Sequence, residues 1–221
     1  RFQQCNPGRC WLCTNLKSGQ QKVISDKPLL RHRHGLAPYG TAASGYTEYL
    51  VAQDGGQLDC LEPIPNRADL VRGALNPNLP GNVMVGFGQD AKKNFYDAVL
   101  LDAPCSGLGS VRRKPESRWR KTTEQLSGLT KLQNELLDSA ANALKSGGYL
   151  LYSTCSPLVI ETNTQVKQVL EQHPELELIN ANEVLNQISP RLRMGTTRKT
   201  AQLWTHLHAT DAMFIAILRK K

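Results

Sequence analysis

The chain has 221 residues, with 27 Lys and Arg against 19 Asp and Glu, so its formal net charge is +8. This length suits a single α/β domain, and 40% hydrophobic with 21% charged residues argues against both a disordered tail and a membrane protein. No apolar stretch approaches the ~20 residues that cross a bilayer, so we expect a soluble protein with no membrane partner. Six cysteines in a chain of this length indicate a reducing compartment rather than a disulfide scaffold. The excess of positive charge indicates a polyanionic partner.

The N-terminal part of the chain differs in pattern from the rest. Residues 1–30 show no apolar period, so we predict an irregular N-terminal arm followed by one domain over 31–221. Between residues 47 and 101, short apolar runs alternate with turn-rich segments. This pattern predicts a helix, a strand, a second helix and two further strands, the last of which ends at Asp102.

A long amphipathic helix is predicted after this strand. Thr122 or Thr123 can cap it, Glu124 lies in its first turn, and leucines and alanines recur at threes and fours. We expect Gly147-Gly148 to end the helix. The apolar residues 149–152 then predict another buried strand, so that strand, crossover helix and strand form a right-handed βαβ unit.

The rest of the chain completes an α/β pattern. A further helix is predicted over roughly 161–172, and the buried run from Met213 to Leu218 predicts a closing strand pair. We therefore predict a Rossmann-like α/β fold, with a mostly parallel sheet and a C-terminal antiparallel strand pair.

Cysteines follow two strands that we expect to be neighbours. Asp102 and Cys105 come directly after one strand, and Cys155 comes after the other. Ligands of open parallel sheets bind beyond the carboxyl ends of the strands, so these three residues are expected to converge on one pocket. An isolated cysteine is usually a small buried hydrophobe, but two cysteines on adjacent loops beside an acid favour a reactive site.

Four segments carry a resemblance to a known family. The stretches DAPCSG, RRKPESRW, YLLYSTCS and HLHATDAMFIA resemble the signatures of the Sun-type (Fmu-type) RNA cytosine-C5 methyltransferases, over roughly Arg31 to Lys221. The resemblance implies a Rossmann-like methyltransferase fold, S-adenosylmethionine as the cofactor, and ribosomal or transfer RNA as the substrate. It also implies that Cys155 is the nucleophile and that Cys105 helps to release the methylated product.

The chemistry of the reaction suits these roles. Carbon 5 of cytosine is a poor nucleophile, but addition of a thiolate at carbon 6 makes an enamine that can attack a methyl sulfonium. Asp102, expected to be partly buried, could bond to the ring and supply a proton. The opposite assignment, with Cys105 as the nucleophile, would follow the Pro-Cys motif of some DNA enzymes. The Thr-Cys pair at 154–155 and the HLHATDAMFIA tail favour Cys155 and an RNA substrate.

Three residues match the expected cofactor positions after the second and third strands. Glu62 would hold the ribose hydroxyls, and Arg67 matches an arginine that the family places five residues later. Asp90 resembles the acid that contacts the adenine amine. Asp102 is assigned to the cofactor site as well.

The first cofactor loop departs from the family pattern. Pro38 and Gly40 match it and are assigned to cofactor binding, but Tyr39 replaces a glycine and Thr41 replaces the lysine. Arg33 stands where the family has an acid, and its charge would repel a sulfonium. These three departures put S-adenosylmethionine binding in question.

A basic segment lies just past the DAPCSG loop. The residues assigned to RNA contact are Arg112, Arg113, Lys114, Arg118 and Trp119. Positive charge bonds phosphate and an exposed indole can stack on an unpaired base, so the segment suits an RNA whose target base must leave the stack. His206 and His208 are interpreted as fold or RNA-contact residues. One CxxC at Cys10 and Cys13 is weak evidence for zinc, and we assign no metal.

Two functions from different classes follow. The first is an S-adenosylmethionine-dependent RNA cytosine-C5 methyltransferase acting on ribosomal RNA. The alternative is a catalytically inactive relative that binds ribosomal RNA or an assembling ribosomal subunit. A separate targeting protein is a further expected partner. The missing start Met and the basic charge suit a mitochondrial protein after removal of a transit peptide, and the nucleolus or cytoplasm is the alternative location.

Overall fold

The computed structural model describes residues 9–14, 57–74, 81–119 and 122–221. In these ranges the strands are β1 (Arg9–Thr14), β2 (Gln57–Glu62), β3 (Gly81–Val85), β4 (Tyr96–Asp102), β5 (Leu144–Thr154), β6 (Leu176–Ile179), β7 (Ala201–Gln202) and β8 (Phe214–Lys220). The helices in the same ranges are α1 (Pro65–Ala74), α2 (Thr123–Ala143), α3 (Asn163–Gln172), α4 (Ala181–Ile188) and α5 (Thr205–His208). The alternation of strands and helices confirms the predicted α/β class.

The described strands form one mixed sheet in the order β3-β2-β1-β4-β5-β8-β6, with β7 beside β8. The pairs β2–β3 and β4–β5 are parallel, whereas β1 and β8 run antiparallel to their neighbours. Six of these strands therefore point the same way and β1 and β8 oppose them, so two of the described pairings are parallel and five are antiparallel. The expected antiparallel ending is also confirmed, because β8 pairs with β5, β6 and β7.

The strand β1 differs from the prediction of an irregular N-terminal arm. Residues 9–14 lie in the middle of the sheet and pair with both β2 and β4. The run Cys10-Trp11-Leu12-Cys13 is apolar, as is usual for a strand inside a sheet. Its main-chain groups pair with those of the two flanking strands, which would otherwise lack hydrogen-bond partners. The prediction is therefore wrong for these six residues. The division of the chain at residue 30 lies outside the described residues and stays a prediction.

Helix α2 packs along β4 and β5 as the crossover of the βαβ unit. Thr122 caps it through Gln125, whose backbone N–H donates to Thr122 Oγ1 while its side chain accepts from the Thr122 N–H. The helix ends at Ala143, earlier than predicted, because β5 begins at once and includes Gly147 at a positive φ of 81°. None of the described helices combines the length and apolar character that crossing a membrane requires.

The core lies between the sheet and α2. Tyr96, Tyr152 and Phe214 are among its largest buried side chains, and the rings of Tyr152 and Phe214 meet edge to face with centroids 6.1 Å apart. Tyr152 and Phe214 lie near the end of β5 where the chain leaves the sheet. Buried aromatic side chains therefore pack together at this end of the sheet.

Gly109 brings three segments into close contact beyond the sheet. Its N–H donates to Cys155 O at 2.8 Å, and its carbonyl accepts from the Ala212 N–H at 2.9 Å. A Cβ added here would lie 2.0 Å from Ala212 O and 2.8 Å from Cys155 O, both of them backbone atoms. Only glycine permits this approach.

We expect Gly109→Ala to lower the free energy of unfolding by about 1–3 kcal/mol, the usual cost of overpacking a tight site. Gly128→Ala is the matched control, because Gly128 lies on α2 and a Cβ there would meet nothing within 4 Å. That substitution should stabilise the protein by about 0.5–1 kcal/mol through helix propensity. Urea unfolding monitored by circular dichroism measures both, and equal stability of the two variants would contradict the packing argument.

Candidate active site

The parallel pairing of β4 and β5 places two loops side by side. Asp102, the last residue of β4, is in register with Ser153, and Ala103 N–H continues the pairing to Ser153 O at 2.9 Å. The segment 103–107 leaves β4 and the segment 155–158 leaves β5 at the same edge of the sheet. This edge lies at the carboxyl ends of the parallel strands, where α/β proteins bind ligands.

The two loops bring two thiols into contact. Cys105 Sγ and Cys155 Sγ lie 3.3 Å apart, within hydrogen-bonding distance for sulfur, and both residues are half-buried. The predicted meeting of the two cysteines is thus present in the structure. Both residues keep part of their surface exposed, so neither is fully buried in the core.

The two thiols differ in acidity. The hydrogen bond from Cys105 lowers the pKa of Cys155, and this effect exceeds the opposing effects of burial and of the Asp102 and Asp211 charges. The same hydrogen bond, together with burial, holds the pKa of Cys105 well above its usual value. The arrangement therefore favours a Cys155 thiolate that accepts a hydrogen bond from a neutral Cys105.

Asp102 lies near this pair but differs from its expected environment. The residue is exposed, where we expected it to be partly buried, and its charge acts on Cys155. Its backbone is opposite Arg9 across the β1–β4 pairing.

The predicted cofactor residues lie at the same edge. Glu62 ends β2, is only 1% exposed and accepts a hydrogen bond from the Ile64 N–H at 3.1 Å. Asp90 follows β3, is exposed, and accepts from the Phe87 N–H at 2.8 Å. A Cβ on Gly86 would approach Asp90 Oδ2 to 3.3 Å, so Gly86 and Asp90 pack closely in this turn.

Arg67 supplies an independent sign of a ligand. Its Nη1 is buried and has no hydrogen-bond partner among the described residues. Buried guanidinium donors are normally satisfied, so this group suits a polar ligand. The described residues therefore fit a nucleoside-type cofactor. Pro38, Gly40, Arg33, Tyr39 and Thr41 of the first loop lie outside the described residues.

The basic segment after the Cys105 loop is mostly at the surface. Exposed residues here are Arg112, Arg113, Lys114, Arg118 and Trp119. The Trp119 side chain is 78% exposed, and the Arg118 guanidinium lies 4.6 Å from the centre of its ring. A half-stacked, exposed indole flanked by cations suits a nucleobase and its phosphates.

Arg113 pairs with a buried carboxylate. Its Nε lies 3.0 and 2.9 Å from the two carboxylate oxygens of Asp211, and its Nη2 also contacts Asp211. Asp211 is buried, so its charge needs this partner. Arg113 therefore joins the basic segment to the C-terminal segment, and its assignment to RNA contact stays a prediction. His208 also has a fold role, because its Nδ1 accepts from the Trp204 N–H at 2.8 Å.

Sequence reasoning missed a buried carboxylate beneath both cysteine loops. Glu161 is 0% exposed and bonds to Ser106 and Ser156, the residues that follow Cys105 and Cys155. The available signal was the repeated Cys-Ser pair and a glutamate at the end of the apolar run Leu158-Val159-Ile160. No periodicity indicates that these three residues meet.

The acidity of Cys155 can be measured directly. We expect Cys155 to react with iodoacetamide at a lower pH than an ordinary cysteine, because Cys105 stabilises its thiolate. Cys105→Ala should shift the midpoint of this pH profile upward. Peptide mass spectrometry measures modification at Cys155, and an unchanged midpoint in the variant would contradict the proposed hydrogen bond.

Comparisons with known proteins identify relatives of this chain. MT1451, a methyltransferase-like protein of Mycobacterium tuberculosis (strain CDC 1551 / Oshkosh), is 40% identical over 170 residues, which are 76% of this chain and 36% of that protein. Ribosomal RNA small subunit methyltransferase B of Vibrio vulnificus is 34% identical over 149 residues, which are 66% of this chain and 34% of that enzyme. The chain thus spans about a third of the length of these relatives.

Solved structures show the same fold. A methyltransferase homolog protein from Pyrococcus horikoshii aligns over 98% of this chain and 87% of its own, with a TM-score of 0.63 and 21% identity. NSun6 from Pyrococcus horikoshii with SFG covers 84% of this chain and 46% of its own, with a TM-score of 0.62 and 22% identity. The profile of the family described as 16S rRNA methyltransferase RsmB/F matches residues 66–219. This chain therefore belongs to the RsmB/F family of 16S rRNA methyltransferases.

Proposed function

We propose that this chain carries the catalytic site of an RNA cytosine-C5 methyltransferase acting on ribosomal RNA, with S-adenosylmethionine as methyl donor. The observation that carries the proposal is the thiol pair, 3.3 Å apart at the ends of two neighbouring parallel strands. Membership of the RsmB/F family supports ribosomal RNA as the substrate class. The name of the Vibrio vulnificus relative supports the small ribosomal subunit.

The first step uses Cys155 and Asp102. The Cys155 thiolate adds to carbon 6 of cytosine and forms a carbon–sulfur bond, while electron density moves through carbon 5 to N3. Asp102 is assigned to bond the ring and to supply the proton that N3 takes up as this charge develops. Carbon 5 then has enamine character and can form the new bond to carbon.

The described residues that would hold the cofactor are Glu62, Arg67, Asp90 and Asp102. When bound, S-adenosylmethionine supplies an electrophilic methyl group on a sulfonium. Glu62 and Asp90 provide carboxylates for ribose hydroxyls and the adenine amine, and the unpaired Nη1 of Arg67 lies in the same region. The Pro38 and Gly40 loop belongs to the same proposal.

Cys105 acts in the last step. Its hydrogen bond to the Cys155 thiolate raises its own pKa, and this cause disappears once Cys155 is bonded to carbon 6. Cys105 then releases its own proton to solvent, and the resulting thiolate accepts the carbon-5 proton as a base. The electron pair of that C–H bond restores the ring double bond, the bond from carbon 6 to sulfur breaks, and Cys155 leaves as a thiolate.

The RNA lies along the exposed basic segment. Trp119 offers a stacking face for a base next to the extruded cytosine, and Arg112, Lys114 and Arg118 offer cations for phosphates. Target choice is assigned in part to a separate targeting protein or to the ribosomal particle.

A second function is favoured by one sequence observation. Arg33, Tyr39 and Thr41 replace the residues that the family has in the first cofactor loop. Such a chain could bind ribosomal RNA without methylating it and serve as an assembly factor. Binding of S-adenosylmethionine, measured by calorimetry, separates the two functions: no binding, with RNA binding retained, would support the assembly factor.

Methyl transfer to small-subunit ribosomal RNA tests the enzyme directly. We expect Cys155→Ala to abolish both transfer of labelled methyl groups and formation of a covalent protein–RNA complex, because no nucleophile is left. Cys105→Ala should slow release by about 100-fold or more, the usual contribution of a general base, so the covalent complex should accumulate on denaturing gels.

Cys60→Ala is the control for loss of a thiol, because Cys60 lies on β2 in a separate apolar cluster. It should retain methyl transfer. Full activity of Cys155→Ala, or covalent complex formed by that variant through Cys105, would contradict the assignment of the nucleophile.

A further inference from the structure

We propose that Glu161 is a positioning residue that holds the two cysteine loops at thiol contact distance, a role that rests on the function proposed above. Glu161 lies in a 3-10 turn, Val159–Glu161, between the Cys155 loop and helix α3. Its side chain points beneath the site, toward Ser106 and Ser156. It contacts neither thiol by a hydrogen bond, so it acts through their neighbours.

The Glu161 carboxylate is fully used by donors. Oε1 accepts from the Ser106 N–H at 2.7 Å and from Gln133 Nε2 at 3.2 Å. Oε2 accepts from Ser106 Oγ at 2.6 Å and from Ser156 Oγ at 2.5 Å. The bonds to Ser106 tie the loop after β4, and the bond to Ser156 ties the loop after β5. One rigid group thus fixes the residues that follow both catalytic cysteines.

The surrounding bonds fix Glu161 itself. Tyr152, which is 0% exposed, donates its hydroxyl to Glu161 O at 2.8 Å. Gln133 on α2 donates to both Pro104 O, at 2.6 Å, and the Glu161 carboxylate. The crossover helix, the end of β5 and the Cys105 loop therefore share one buried network. In such a network the position of each member depends on all the others.

The network is costly for a purely structural role. Among the described residues, none of the ion pairs includes Glu161, so hydrogen bonds alone offset the burial of its charge. A carboxylate suits the task of holding two segments at one distance, because its two oxygens accept directed bonds from both.

The charge of Glu161 also distinguishes the two thiols. It raises the pKa of Cys105, whereas the carboxylates that act on Cys155 are Asp102 and Asp211. Glu161 thus helps Cys105 remain protonated and donate to Cys155. The hydrogen bonds of Glu161 to the two loops and its negative charge therefore act in the same direction, because both favour a neutral Cys105 that donates to a Cys155 thiolate.

The distance between the thiols can be measured without cofactor or RNA. Diamide oxidises two neighbouring thiols to a disulfide. The two thiols together lose two protons and two electrons, and the N=N bond of diamide takes these up to become a hydrazine. The rate of the Cys105–Cys155 disulfide, followed by peptide mass spectrometry, reports how often the sulfurs meet. Each variant is oxidised one pH unit above its own Cys155 alkylation midpoint, so that changes in acidity do not alter the comparison.

Two variants and one control test the proposal. Glu161→Gln keeps the shape of the side chain but removes the charge and half of its acceptor capacity, and Ser156→Ala removes one bond while keeping the charge. We expect about a tenfold slower disulfide in both, through loss of effective concentration. Glu171→Gln, on the exposed part of α3, should leave the rate unchanged.

Kinetics provide a second measurement. In Glu161→Gln we expect kcat for methyl transfer to fall by about tenfold, with little change in KM for RNA, because the RNA contacts lie elsewhere. The Cys155 alkylation profile should also change in this variant and not in Glu171→Gln. A residue that only stabilised the fold would change the unfolding transition without changing these three measurements.

The outcomes separate this proposal from the proposed function. A normal disulfide rate in folded Glu161→Gln protein would overturn the positioning role. If that variant does not fold by circular dichroism, a normal rate in Ser156→Ala overturns the role instead. Slower disulfide formation in a chain that never transfers methyl groups would support Glu161 as the positioning group while refuting the enzyme.

Discussion

The parallel pairing of β4 and β5 is the constraint on which the site depends. The two strands stay in register up to Asp102 and Ser153, so their loops leave the sheet at the same point and in the same direction. Residues that are 50 positions apart in sequence thereby come within reach of each other. Helix α2 makes this pairing possible, because a parallel connection needs a crossover of its length. The reactivity of the thiols therefore originates in sheet topology.

The sequence predicted the elements whose signals are local. The periodic leucines and the Thr122 cap identified α2, and the apolar runs identified β4 and β8. Strand β1 could not be predicted in this way, because six residues without a repeated period gain their structure only from the two strands beside them. Helix α2 ends before its predicted glycine stop for a similar reason, since the pairing of β5 with β4 begins at Leu144.

The residues of the candidate site also differ in whether local sequence signals could predict them. Cys105, Cys155 and Asp102 were found because each follows a predictable strand, so their place at the edge of the sheet could be derived. Glu161 was not found, since its three partners lie on different elements and no spacing relates them. The pairing of Arg113 with Asp211 is equally nonlocal, 98 residues apart. A run of basic residues in the sequence shows how much positive charge is present, but it does not show which of the cations pairs with a distant carboxylate.

The close contact at Gly109 links two parts of the molecule that the chemistry needs together. Its N–H holds Cys155, its carbonyl holds Ala212, and the adjacent Asp211 holds Arg113 in the basic segment. The Arg113–Asp211 pair, the Ala212–Gly109 bond and the Gly109–Cys155 bond therefore form one chain of contacts from the basic segment to the Cys155 backbone. Anything that binds the basic segment is joined through these three contacts to the loop that carries the Cys155 thiol.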